Sequence, residues 1–406
     1  MTSRKKTYGD RFNVRVCRGI GVMLVSLLLF SCVPDFEKPW SPADNVVFAV
    51  TSNFSDSASF STVDISSLTP YADVGAGMIH TDAYCRYAAP WLYVINALGR
   101  NNIQIIDPAA DYTTLREITM KEDVDNNSNP HDIAVISSTE AWVTRYNDSE
   151  LYKVNPTTGL KTGEIDLALY AYSGSGGVPC MDKMYYDTSS SELWVALQRL
   201  DTSSSYATTA YSSVLVIDPG TEAVNEIQLT VGVTAKNPAG HFRFVSKDDW
   251  QPTPADNHDH LFISCIGENG FNYAEDGGII ALDLFDEQME DGFVITETDF
   301  SGEAMDFVIK NATTGYAVLS KADFTTCLVR FDPSDGTVTS VIREQSNAYG
   351  NLWRLELHSS GYLYLCDRAV TSPGIRVYDT DNSDLPLNNN LPVYVGLPPA
   401  DMAFIE

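Results

Sequence analysis

The chain ends on Asp401-Met402-Ala403-Phe404-Ile405-Glu406, a short apolar strand with nothing after it. Its counterpart lies near the other end. Val46-Val47-Phe48-Ala49-Val50 reads as a strand, a polar gap follows, and Phe60-Ser61-Thr62-Val63-Asp64 closes on a carboxylate. The same theme returns as Leu92–Ile95 with Ile103–Asp107, Ala141–Thr144 with Leu151–Asn155, and Leu193–Ala196 with Val214–Asp218. It continues as Leu261–Ser264 with Ile279–Asp283, Tyr316–Leu319 with Leu328–Asp332, and Tyr362–Leu365 with Ile375–Asp379. Six copies are preceded by a further strand: Tyr84–Tyr87, Ile133–Ile136, Lys183–Tyr186, Phe242–Val245, Phe307–Lys310 and Arg354–Leu357. The first copy has none ahead of it, and Met402–Ile405 is left over to supply it. A ring closed in this way leaves no sheet edge with unpaired backbone groups.

The closing residues Asp64, Asp107, Asn155, Asp218, Asp283, Asp332 and Asp379 are 43, 48, 63, 65, 49 and 47 residues apart. The short intervals suit a four-stranded blade and the long ones carry inserted loops. Asp or Asn at a strand end, often before Pro, is a turn device, because its side chain accepts backbone N–H groups. A weaker fourth strand follows most copies, as at Val224–Leu229 and Val338–Ile342. The expected fold is all-β: one seven-bladed β-propeller of four antiparallel strands per blade over residues 45–406.

The remaining residues read as an address. Residues 1–18 are basic, and Ile20–Phe30 is apolar but short for a bilayer span. Leu29-Phe30-Ser31-Cys32 resembles the lipobox of bacterial lipoproteins, with Phe30 a departure from the small residue usual there. The resemblance implies a signal peptide over 1–31, acylation of Cys32, a tether over 32–44 and a cell-envelope location, the outer membrane favoured because Val33 is not Asp. Two or three acyl chains anchor stably where one does not. Of the five cysteines beyond the tether, Cys85, Cys180, Cys265, Cys327 and Cys366, no two sit at metal-ligand spacing. Cys265 and Cys366 fall in apolar runs and read as small buried side chains.

The net charge is −28, and residues 1–31 carry a net +5, so the remainder is near −33. Such a field repels phosphate backbones and excludes nucleic acid as a partner. The expected partners are the membrane, through the anchor, and a protein, glycan or small ligand; the protein itself is expected to be a monomer.

The Leu-Tyr-Val strand, the polar gap, the Val-Ile-Asp strand and the turns at Thr158-Gly159 and Thr221-Glu222 resemble the YVTN/YncE-like propellers of bacterial secreted proteins. The resemblance implies fold and location and little about activity.

In propellers the first strand of each blade lines the central channel. Aligning the copies places Asp82, Asp132, Asp182, Asp306 and Asp401 at one register, with His241 and Trp353 in the other two blades. A second family, Arg100, Arg145, Arg199, Lys321 and Arg368, follows the second strand. The two sets are expected to pair around the rim, Arg forking onto carboxylate. The functional alternative is a polar funnel that holds a divalent cation on the Asp set or a ligand carboxylate on the Arg set. Loops 198–213 and 266–278 add Tyr206, Tyr211, Phe271 and Tyr273 for recognition.

Weaker metal signals are His258 and His260, spaced i, i+2 in an insertion, and the acidic runs 123–129 and 379–384, which lack the complete calcium-loop pattern. No Gly-x-Ser-x-Gly elbow, His-Glu-x-x-His motif or adjacent-Cys pair is present. A non-catalytic binder without a resident cofactor is therefore the first expectation. A lactonase-like hydrolase or a dehydrogenase with a metal or cofactor in the funnel is the alternative.

Overall fold

A computed structural model describes residues 45–75, 78–123, 127–253, 255–268, 275–345 and 351–406. They form seven antiparallel sheets in a ring, the predicted propeller. Each blade runs from the channel outward. Blade 2, for example, is Ala83–Ala88, Trp91–Asn96, Asn102–Asp107 and Thr113–Thr119. The innermost strands of the other blades are Pro130–Ser137, Met181–Asp187, Pro238–Val245, Glu303–Asn311 and Leu352–Leu357 for blades 3 to 7, and Pro399–Ile405 for blade 1.

Closure occurs as the sequence required. Pro399–Ile405 pairs antiparallel with Val46–Ser52, setting Phe404 opposite Val47 and Met402 opposite Ala49. The N–H of Asn45 bonds the Ile405 carbonyl at 2.7 Å. Both chain ends thus share blade 1, and its inner strand lies beside that of blade 2.

The second strands are apolar on both faces because blades stack face to face. Leu193–Leu197 is buried almost throughout, and its Trp194 reaches the cluster that blade 4 shares with blade 5. Similar layers fill the gaps between blades 2 and 3, 3 and 4, 5 and 6, 6 and 7, and 7 and 1. Phe48, Phe60 and Tyr112 do the same between blades 1 and 2. Each such side chain, fully removed from water, contributes roughly 1.5–3 kcal/mol.

All seven closing residues act in turns. Asp64, Asp107, Asn155, Asp218, Asp283, Asp332 and Asp379 each accept a backbone N–H two or three residues on. The five cysteines from Cys85 onward are buried and unpaired. Blade 5 carries an extra two-residue strand, Ile295–Thr296, leading into the short helix Glu297–Phe300. The expected signal peptide, Cys32 and the tether lie outside the described residues.

Candidate functional site

The ladder pairings set Asp401, Tyr84, Asp132 and Asp306 of blades 1, 2, 3 and 6 at one level of the channel. Lys183, His241 and Arg354 lie in the irregular starts of the inner strands of blades 4, 5 and 7. The alignment made from the sequence agrees with that level for Asp132, Asp306 and Asp401 and differs by two residues for Asp82. Asp182, His241 and Trp353 fall at the irregularities.

Three carboxylates tie blade 3 to blade 4, blade 6 to blade 7 and blade 1 to blade 2. Oδ2 of Asp132 accepts the N–H of Met184, Oδ2 of Asp306 that of Leu355, and Oδ2 of Asp401 that of Cys85, each at 2.9 Å. Oδ1 of Asp132 and of Asp306 also accepts the N–H of the following residue. These are structural staples, each only 1% exposed.

Basic groups from the inner strand of the preceding blade neutralise two of them, Asp132 and Asp306. Arg86 forks onto Asp132 with both contacts at 2.9 Å, and Arg243 reaches Asp306 at 3.0 Å and Glu356 at 3.0 Å. Side chains two apart on a strand share a face, so Tyr84/Arg86, His241/Arg243 and Arg354/Glu356 all point inward. Arg86 donates across the channel to His241 Nε2 at 3.0 Å. Arginine can only donate, so that nitrogen carries the lone pair, and Nδ1–H faces Glu356 at 3.4 Å. Burial, then repulsion from Arg86, Arg354, Arg243 and Lys183, holds His241 well below the usual imidazole range. Burial alone would raise Asp182; the hydrogen bond from His131, with the charges of His131, Lys183 and Arg354, outweighs it and keeps that carboxyl low. Lys183 is lowered by burial against the pull of Asp182 and Asp132. It lies 3.9 Å over the Tyr84 ring and donates to the His131 carbonyl.

The expected rim pairing does not form. Arg145, fully buried, binds Asp148, Glu150 and the Met120 carbonyl and stacks on Tyr152. Arg100 binds Glu117 and the Met78 carbonyl, Arg199 binds the Tyr170 and Tyr211 carbonyls, and Lys321 binds Glu344. Each is held by its own blade or the neighbouring loop before it can reach the channel. The true partners, Arg86 and Arg243, sit mid-strand, and their signal was a charge interrupting an apolar run, two residues beyond Tyr84 and His241.

Arg368 differs. Its guanidinium lies 3.9 Å from the Phe54 ring and 4.8 Å from that of Trp353. Its Nε is buried without a hydrogen-bond partner, and no carboxylate among the described residues pairs with it. Burial, followed by repulsion from Arg354, pulls it down to about 10. It lines an entrance cavity of about 400 Å³ together with Phe54, Asp82, Tyr84, Met305 and Trp353. Asp82 is half-buried on the same wall and forms no ion pair among the described residues. Of the loop aromatics, Tyr206 is half-exposed beyond the Tyr146 ring and Tyr211 is covered by Arg199. Phe271 and Tyr273 lie outside the described residues.

Two more clusters hold titratable groups. Asp256, His260, Asp283 and Glu290 bring one donor atom each within 4.8 Å of one another, the arrangement among the described residues that could hold a metal most completely. Glu297 and Glu303, at the junction of blades 5 and 6, are pushed up to about 8 and about 7, in both cases chiefly by burial. The run 379–384 is absorbed in structural contacts: Asp381 pairs with Lys310, and Asp384 accepts from Tyr316. Run 123–129 is only partly described, so its calcium reading falls in part outside the described residues.

No protein-family model matches the chain, and no curated protein does. Solved structures do. A quinonprotein alcohol dehydrogenase-like protein of Bacteroides thetaiotaomicron is 13% identical with a TM-score of 0.56, covering 91% of this chain and 80% of that one. A Bacteroides fragilis protein named as a candidate 6-phosphogluconolactonase is 11% identical with a TM-score of 0.57, covering 91% and 100%. The dihydro-heme d1 dehydrogenase NirN is 13% identical with a TM-score of 0.53, covering 92% and 78%. Identities this low establish a shared propeller fold and nothing about chemistry.

Proposed function

We propose that this chain is a lipid-anchored protein of the bacterial envelope that holds a small carboxylate ligand in its entrance cavity without turning it over. The observation that carries the reading is Arg368, a guanidinium clamped between Phe54 and Trp353, facing a cavity and lacking a carboxylate of its own. A partly buried arginine left unpaired is costly, and a planar carboxylate satisfies its fork. The aromatic walls add a surface for a flat apolar body, the chemistry that uronic acids and aromatic acids share. Asp132 and Asp306 do not compete, because backbone N–H groups and the guanidinium groups of Arg86 and Arg243 already use them. The anchor at Cys32, the outer-membrane location and membership of the YVTN/YncE-like propellers rest on the sequence motifs; the acidity of the body supports a monomer that avoids nucleic acid.

Thermal shift with galacturonate, phenylacetate and their neutral alcohols tests this. Stabilisation by one or both acids, absent with the alcohols and absent in Arg368→Gln, is expected. Equal shifts with acid and alcohol, or an unchanged response in Arg368→Gln, would remove the basis for the assignment. Turnover of a lactone that depends on Arg368 would replace the binder with a hydrolase. Labelling by a palmitate analogue that is lost in Cys32→Ser tests the anchor.

A further inference from the structure

We infer that blade 5 carries a divalent-cation site at the end of the sheet away from the entrance, formed by Asp256, His260, Asp283 and Glu290. The residues come from separate segments: Asp256 from the loop after Pro238–Val245, His260 from the start of the second strand, Asp283 from the end of the third, and Glu290 from just beyond the short fourth strand. The other blades carry the turn residue equivalent to Asp283, whereas blade 5 adds the insertion that delivers Asp256, His258 and His260.

Four observations converge. One donor atom of each residue lies within 4.8 Å of all the others. His260 has no solvent exposure, and its Nε2 faces Glu290 at 3.4 Å and Asp256 at 3.5 Å. Those gaps are long for a charge-assisted hydrogen bond, and Nδ1 of the same ring is buried without any partner. Nδ1 lacks a partner in either case, so Nε2 decides: a cation between it and the carboxylates takes the ring lone pair directly in place of two long polar contacts.

Charge points the same way. Three carboxylates meet here, and among the described residues their ion pairs are with His258 and His260 and with no Lys or Arg. Like charges brought this close repel one another, and a bound cation offsets that repulsion.

Finally, the ligands are oriented from outside. Asp283 receives the N–H groups of Phe285 and Asp286 on Oδ1 and His258 Nδ1 on Oδ2 at 2.8 Å. The N–H of His258 holds Asp256 Oδ1. Trp250 packs edge-to-face on the His260 ring. Metal ligands are commonly held by such outer contacts. Three carboxylate oxygens and one imidazole suit Mn²⁺ or Zn²⁺ better than Ca²⁺, which takes oxygen ligands in larger number.

The full chain, stripped with a chelator, is titrated calorimetrically with Mn²⁺, Zn²⁺ and Ca²⁺. One equivalent of Mn²⁺ or Zn²⁺ is expected, with Ca²⁺ weaker. The pair Asp256→Asn, Glu290→Gln should weaken binding by roughly 100-fold or more, and Asp82→Ala, in the entrance cavity, should leave it unchanged. No binding at millimolar Mn²⁺ or Zn²⁺, unaltered affinity in the double variant, or Ca²⁺ binding as tight as Mn²⁺ would overturn the site. Should the double variant fail to fold, Mn²⁺ added to the wild-type chain decides: selective broadening of the His260 imidazole resonances is expected, and unbroadened resonances overturn the proposal.

Discussion

Arg86 and His241 touch across the channel, Nη1 to Nε2 at 3.0 Å, from blades 2 and 5. Three blades is the widest separation a seven-membered ring allows, so this contact bridges the channel and ties two otherwise unconnected sheets. Arg86 simultaneously neutralises Asp132. Arg86→Ala leaves a buried carboxylate without its partner, for which about 3–5 kcal/mol is the ordinary loss. Urea unfolding should show a lower midpoint at unchanged slope. A midpoint equal to that of the wild type would mean the bridge is absent in solution.

The acids aligned from the sequence separate into two kinds. Asp306 receives Arg243 and the N–H groups of Phe307 and Leu355. Asp82 is half-buried and has no side-chain partner of this sort. Asp306→Ala should cost roughly 3 kcal/mol or more, and Asp82→Ala within about 0.5 kcal/mol. Equal losses in denaturant titrations would restore the single acidic collar that the sequence suggested.

That contrast shows where sequence reading stopped. The strands were legible because each second strand is an apolar run and each third strand ends on a turn-forming Asp or Asn. The ring was legible because Met402–Ile405 had no other place to pair. The channel register was not. The inner strands of blades 1 and 3–7 carry irregularities near their starts, as between Pro130 and Asp132 and between Met181 and Met184. The blade 2 ladder runs without one. A bulge adds a residue that counting along the sequence does not reveal, so Asp82 aligns by count with Asp132 whereas Tyr84 occupies that level. Arg368 has aromatic rings as its neighbours rather than the acidic set.

Glu297 and Glu303 make stability depend on pH in an unusual direction. Both carboxyls are raised from 4.5, to about 8 and about 7, chiefly by burial. The folded chain therefore binds protons more tightly than the unfolded one between about pH 4.5 and 8, and these two groups lower stability as pH rises through that window. Glu297 accepts the Gly277 N–H at 2.9 Å, a bond that Gln can also accept. Thermal midpoints of Glu297→Gln should fall less than those of the wild type between pH 5 and roughly 8.5. Parallel profiles would show that Glu297 is ionised in the folded chain throughout.

The most direct trial of the ligand reading is a crystal structure of the chain grown with galacturonate or phenylacetate. The account predicts the ligand carboxylate on the Arg368 guanidinium at roughly 2.7–3.0 Å, with the body of the ligand against Phe54 or Trp353. An Arg368 paired with Asp82 in a ligand-free cavity, or a ligand seated elsewhere on the ring, would contradict it.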